Sequence, residues 1–172
     1  MQTFLNEPDF TLIAQSLDDK RLNKQLLEGR QILKRLLIPN GGWGNHPAVV
    51  QWKGYEVVLV HYCESIAIEC QSRGIKIDTN LAAIHELEDE FLTDKPWVMP
   101  PWWADPIEQH RVITTHRARL FQKDPIFYAH YEQYVEHAQA LKCCPACNYY
   151  WPVHQAKIDA GLMKPKQLKL VK

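Results

Sequence analysis

The sequence predicts an all-α protein: a compact bundle of about four to five helices around a long central helix, with a short Cys-rich C-terminal extension. Three observations predict it. Leu22, Leu26, Gly29, Leu33 and Leu36 recur at helical spacing, and so do Ala48, Trp52, Tyr55, Leu59, Tyr62, Ile66 and Cys70. A strand pattern is confined to a candidate "GIKI" at 74–77. At 172 residues and 46% hydrophobic composition, the chain can bury a real core in one domain.

The first stripe places an amphipathic helix at about 17–37. "IPNGGWGNHP" then breaks it with Pro, Gly and Asn, and Asn45 is the expected N-cap of the next helix, with Pro47 in its first turn. That long second helix carries the second stripe and stops at Gly74. A shorter acidic helix spans about 79–92, and "DKPWVMPPWW" reads as a Pro- and Trp-rich loop. Asp105-Pro106 opens a further helix, with Glu108 completing a capping box. Asp124-Pro125 opens another, rich in Phe127, Tyr128, Tyr131 and Tyr134. After Leu141 the character changes to "KCCPACNYYWPVHQ" and a lysine-rich tail, so the expected division is a helical domain at 1–141 and an extension at 142–172.

Charge is balanced overall, with 20 Lys plus Arg against 20 Asp plus Glu, which argues against a uniformly basic nucleic-acid binder. Its distribution is uneven. Residues 20–35 and 110–123 are basic, whereas residues 78–94 carry six acids and no Lys or Arg. This separation suggests a basic working face and an acidic back. The N-terminus lacks the cationic start and apolar run of a secretory signal. No apolar stretch approaches the roughly 20 residues of a membrane span. Five cysteines, three of them at 143, 144 and 147, suggest a reduced cytoplasmic protein. A monomer without membrane contact is expected.

The stretch "KRLNKQLLEGRQILKR" holds six cations and one acid, Glu28. On a helix Arg21, Gln25 and Glu28 share one face, with Lys24 beside them and the apolar stripe next to it. Ion pairing with Lys24 and Arg35 is the ordinary explanation of such an acid, worth only about 0.3–0.5 kcal/mol per helical pair. The sharper one is an acid–base catalyst set among groups that bind a phosphodiester backbone.

"LDDKRLNKQLLEG" resembles the catalytic helix of the endonuclease V family of pyrimidine dimer DNA glycosylases. "GNHPAVVQWKGYEVVLVHY" resembles that family's long helix, "ECQSRGIKI" its ending, and "HRVITTHRARLFQKDPIFYAHY" its C-terminal basic and aromatic elements. Together with "GW..HP" and "PPW", these segments resemble a bacterial and phage branch, over residues 1 to about 134. The resemblance implies base excision coupled to abasic-site lyase activity on double-stranded DNA carrying pyrimidine dimers or another damaged or modified pyrimidine. It implies an N-terminal α-amine that attacks the sugar C1′ to form a Schiff base. An α-amine suits this role because its ordinary pKa of about 7.7–8.0 leaves much of it unprotonated near neutral pH. Residue 2 is Gln rather than a small Thr, which favours a retained Met1 as the amine, with Gln2 in that role if Met1 is removed. By position, Glu28 is the glutamate that handles protons at the sugar, and Arg21, Lys24, Gln25, His46, His116, Arg117, Tyr128 and Tyr131 are the DNA-binding candidates. No cofactor is needed for that chemistry. The setting implied is a bacterial nucleoid, or a phage-encoded protein.

The tail has no counterpart in that resemblance. Cys144 and Cys147, with Cys143 and His137 or His154, have donor types that can hold a structural zinc ion; a reduced cysteine cluster is the alternative. Trp97, Trp102 and Trp103 are candidates to wedge into DNA, or to pack a loop. His61 and His85 lie within helices and read as surface or packed residues rather than ligands. Two other functions stay open: a non-catalytic nucleic-acid-binding module, and a monofunctional glycosylase using water and Glu28.

Overall fold

The computed structural model describes residues 2–38 and 42–167. It is all-α, and no strand occurs among the described residues; "GIKI" runs from a turn into an irregular connection. The chain divides into two compact units, Met1–Pro100 and Pro101–Lys172. The expected boundary at 141/142 falls inside the second unit and remains an expectation about which residues suffice to fold.

In the first unit the chain begins as an extended, buried segment at 2–6 and enters α1 (Phe10–Ser16). Asp9 caps α1 by accepting from the amides of Thr11 and Leu12 at 2.8 and 3.2 Å. Asp18 does the same for α2 (Asp19–Leu37) through the Arg21 amide. The buried face of α2 combines Leu22, Leu26, Ile32 and Leu33 with Gln25, Glu28 and Gly29. The apolar stripe is therefore where the spacing puts it, but two polar residues are buried alongside it. The long second helix is two helices, α3 (Pro47–Val50) and α4 (Glu56–Ser72). Gly54, at φ +86°, makes the turn between them, and its amide donates to the Glu56 carboxylate at 2.9 Å. The cap of α3 is His46 rather than Asn45, its Nδ1 accepting from the Ala48 amide at 3.2 Å. Gly74, at φ +70°, ends α4 as expected, and α5 (Asp78–Phe91) follows.

Helices α1, α2 and α5 all pack on α4. Arg73, just past α4, fastens this arrangement. Its guanidinium donates to the Leu17 carbonyl at 2.7 Å, the Gln15 carbonyl at 3.0 Å and the Glu69 carboxylate at 2.7 Å. It thereby supplies carbonyls at the end of α1 that have no partner within the helix.

The second unit contains α6 (Pro101–Ala104), α7 (Pro106–Lys123), a 3-10 turn at Ala129–Tyr131, α8 (Tyr134–Leu141) and α9 (Pro152–Asp159). Asp105 caps α7 as expected. The reciprocal half of the capping box does not form: the Asp105 amide donates to the Pro101 carbonyl, and the Glu108 carboxylate instead accepts from the Tyr150 hydroxyl. Asp124-Pro125 opens a turn, not an α-helix, because Asp124 closes α7 and its carboxylate accepts from the Phe127 amide at 3.1 Å.

His116 lies inside this unit, 1% exposed, with its ring 4.7 Å from that of Tyr149. Burial holds its pKa down to about 3. The folded chain therefore leaves this imidazole neutral where the unfolded chain protonates it, below about pH 6.5. Between those values the unfolded state binds the extra proton, so stability rises with pH through the window and is lost as pH falls. His116→Phe should flatten the slope of unfolding free energy against pH between about pH 6.5 and 5 by up to ~1.4 kcal/mol per unit. Denaturant titrations at several pH values measure this; equal slopes in wild type and variant would contradict a neutral, buried His116.

Candidate active site around Glu28

An extended segment buried against helices has no neighbouring strand to satisfy its backbone, so other groups must. Here side chains do it. The Phe4 amide donates to Gln25 Oε1 at 2.8 Å. The Tyr62 hydroxyl donates to the same oxygen at 2.8 Å, with the Phe4 carbonyl 3.1 Å away. Thr3 Oγ1 accepts from Trp52 Nε1 at 3.1 Å and lies 3.4 Å from Gln51 Nε2. The amide of Gln2 donates to Glu28 Oε2. Residues 2–6 are thus fixed against α2, α4 and the turn joining α3 to α4.

Glu28 is 7% exposed. Its Oε1 lies 3.3 Å from Lys24 Nζ, and Lys24 itself is exposed. One carboxylate thus takes a backbone hydrogen bond from inside and an ammonium from outside. Next to it, Gly29 marks the close approach of α2 to α4. A Cβ there would meet Cys63 Sγ at 2.4 Å, so no larger residue fits without a shift. Glu28 is felt electrostatically by two neighbours. Burial raises the Tyr62 pKa well above its ordinary value, and the Glu28 charge adds to the rise. Burial lowers the His46 pKa and the positive charge at the chain's amino terminus lowers it further, while Glu28 opposes both.

The candidates named from sequence divide clearly. Gln2, Gln25 and Glu28 come together with the start of the chain. Met1 lies outside the described residues. Gln25 is 1% exposed with its oxygen shared by two donors, so it holds the N-terminal segment. Arg21 is partly exposed and paired with Asp18, and Lys24 is solvent-facing. His46 is partly buried at the start of α3.

The remaining candidates belong to the second unit. His116, Tyr128 and Tyr131 are core residues there, 1%, 0% and 4% exposed. Arg117 donates to the Tyr134 hydroxyl at 2.6 Å, its guanidinium 4.8 Å from that ring. Cys144 and Cys147 are joined in a disulfide, and Cys143 is a buried thiol whose pKa burial pushes up. The three sulfurs lie within 4.8 Å of one another, a cluster that could hold a metal ion once the disulfide is reduced to thiolates; among the described residues neither His137 nor His154 joins it. Trp102 and Trp103 are buried, whereas Trp97 is 54% exposed.

The sequence reading missed Thr3, Gln51, Trp52 and Tyr62 as the clamp on the N-terminal segment. The available signal was a run of polar residues at 2, 3 and 6 within an otherwise apolar start. It also missed Trp43, 65% exposed at φ +76°, a backbone region unusual for a large side chain, with its ring 5.5 Å from His46.

A carboxylate enclosed in a helical unit, engaged with residue 2 and with Lys24 of its own helix, has the chemical make-up of an acid–base group beside cations that can bind phosphate. In the comparison with known families, residues 1–83 match the family described as pyrimidine dimer DNA glycosylase. Over those residues the resemblance read from the sequence is shown. The matched stretch contains Arg21, Lys24, Gln25, Glu28, His46 and Tyr62 and ends within α5. It supports a DNA repair glycosylase. It does not reach the basic and aromatic segment at 110–131, and it distinguishes no bacterial or phage branch. No curated protein and no solved structure matches the chain. Among the described residues no helix is long and apolar enough to cross a membrane.

Gln25→Leu should cost about 1–3 kcal/mol, because it leaves the buried Phe4 amide without an acceptor while the Tyr62 hydroxyl can turn to the Phe4 carbonyl. Amide hydrogen exchange at Phe4 should accelerate in parallel. Urea denaturation and exchange unchanged from wild type would show that Gln25 does not hold the N-terminal segment.

Proposed function

We propose that the protein excises damaged or modified pyrimidines, pyrimidine dimers foremost, from double-stranded DNA and nicks the resulting abasic site by β-elimination. The observation that carries this reading is the hydrogen bond from the Gln2 amide to the buried Glu28 carboxylate. If Met1 is the first residue of the working enzyme, its α-amine is one residue from the group that Glu28 holds. If Met1 is removed, the Gln2 nitrogen becomes that amine.

The steps then follow in order. The neutral amine attacks the sugar C1′, the glycosidic bond breaks, and the base leaves with its bonding electrons and a proton. The ring oxygen O4′ takes a proton from solvent as the ring opens, and the C1′ carbon is left as a protonated Schiff base. Its positive charge acidifies the C2′ hydrogens, and Glu28 accepts one of them. The electrons form the C2′–C3′ double bond, and the 3′ phosphate departs with the strand nicked. The buried carboxylate also stabilises the cation that precedes this step. Arg21, Lys24 and Arg117 are proposed to contact phosphates, with His46 and Trp43 at the site's edge. No cofactor enters the scheme. In the reduced chain, the thiolates of Cys143, Cys144 and Cys147 would supply three of the four ligands that a structural zinc ion takes.

Glu28→Gln keeps an oxygen to accept from Gln2 but cannot take a proton. It should retain DNA binding and lose about 100-fold or more of the excision rate on dimer-containing duplex. Borohydride should trap the wild type on abasic DNA, with the adduct at the first residue of the chain. Excision at the wild-type rate by Glu28→Gln would overturn the role of Glu28. Trapping at an internal lysine would overturn the amine assignment. Excision without trapping would instead establish a water-using glycosylase, and binding without either reaction a non-catalytic module.

A further inference from the structure

A second cluster of reactive side chains lies elsewhere in the first unit, on α4 and α5. The ligand atoms of Glu64, His85 and Glu88 all fall within 4.8 Å of one another. The sequence contains the same short pattern twice, "HYCE" at 61–64 and "HELE" at 85–88. On each helix a His and a Glu three residues apart share a face, and α4 and α5 pack together, so the two pairs meet. His61 completes the group, its Nδ1 3.5 Å from Glu64 Oε2.

Two carboxylates converge here, and among the described residues no Lys or Arg pairs with either one. Elsewhere in this unit Glu28 has Lys24 and Glu69 has Arg73 as cationic partners, whereas the buried Glu56 carboxylate accepts from the Gly54 amide. At the Glu64–Glu88 pair, a divalent ion would supply the cation that Lys24 and Arg73 supply to Glu28 and Glu69.

We propose that Glu64, His85 and Glu88 form a site for a divalent first-row transition cation, with zinc the preferred occupant and His61 a positioning residue that orients Glu64. Metal–ligand distances of about 2.0–2.2 Å place the ligand atoms around a tetrahedral ion about 3.3–3.6 Å apart, so rotamer changes must draw together atoms that now lie within 4.8 Å of one another. One imidazole with two carboxylates suits zinc, cobalt, nickel or manganese; magnesium and calcium favour sites built from oxygen alone. The ion would bridge α4 to α5, two residues along α4 from Tyr62. The site is independent of the glycosylase reading, and His85 and Glu88 lie beyond the residues that match that family.

The test titrates chelator-stripped full-length protein with Zn²⁺ and, in parallel, with Co²⁺ read by visible absorption. The expected result is one equivalent bound, a cobalt spectrum without a thiolate charge-transfer band, a rise in Tm with Zn²⁺, and no rise with Mg²⁺. His85 is exposed and Glu88 only partly buried, so His85→Ala and Glu88→Gln should fold. Each should weaken Zn²⁺ binding by at least ~10-fold, with His61→Ala weakening it by less. Three results would overturn the site: no equivalent bound by the wild type, equal uptake by His85→Ala and Glu88→Gln, or a thiolate band that assigns the ion to the cysteine cluster instead.

Discussion

The side-chain oxygen of Gln25 is the point on which the first unit turns. A buried extended segment needs acceptors and donors that a helix bundle does not offer through its own backbone. Gln25 gives an acceptor to the Phe4 amide and, by taking the Tyr62 hydroxyl as well, ties α2, α4 and the chain's beginning into one hydrogen-bonded junction. Several oddities elsewhere follow from this need. The inner face of α2 carries a glutamine and a glutamate among leucines. The helical stripe after residue 46 is interrupted at 51–55, and the interruption places Trp52 where its indole reaches Thr3.

Glu28 owes its position to the same arrangement. A buried carboxylate is costly unless hydrogen-bonded and paired. It receives one bond from the Gln2 amide and one cation from Lys24, which is both a structural justification and a chemical asset. The ordinary explanation of this acid and the catalytic one are therefore compatible: the pair with Lys24 forms, and the inner oxygen faces the start of the chain. Gly29 makes this possible, because α2 could not lie so close to α4 with any side chain at that position.

The fold class and most helices were legible because apolar spacing reports directly on which residues are buried. The start of α2, the stop at Gly74, and α5 fell where capping and periodicity put them. What was not legible were choices among equally good local partners. Asn45 and His46 can both cap a helix, and the structure uses His46. Glu108 can close a capping box or accept from Tyr150, a residue 42 positions away, and it does the latter. The candidate site shows the same limit. Glu28 stood out as a lone acid among cations, yet the burial of Gln25 was hidden, since a polar residue beside an apolar stripe reads as surface until its distant donors are known. His116, Tyr128 and Tyr131 were DNA-binding candidates through the family resemblance, and their burial in the second unit was not legible from the sequence.

The N-terminal clamp has a consequence for how the protein comes into being. The partners of residues 2–4 lie 21 to 58 positions further along the chain. During synthesis, Phe4 and Leu5 are made before those partners, and their backbone stays hydrated until the partners are added. Gln25 cannot take its second donor before Tyr62 arrives, nor can Thr3 meet its indole partner before Trp52 does. A ribosome-bound fragment ending before about residue 62 would therefore have every chemical group of the candidate site except its last clamp, and no fixed site, so the assembled geometry becomes available only once the chain is long enough to enclose it.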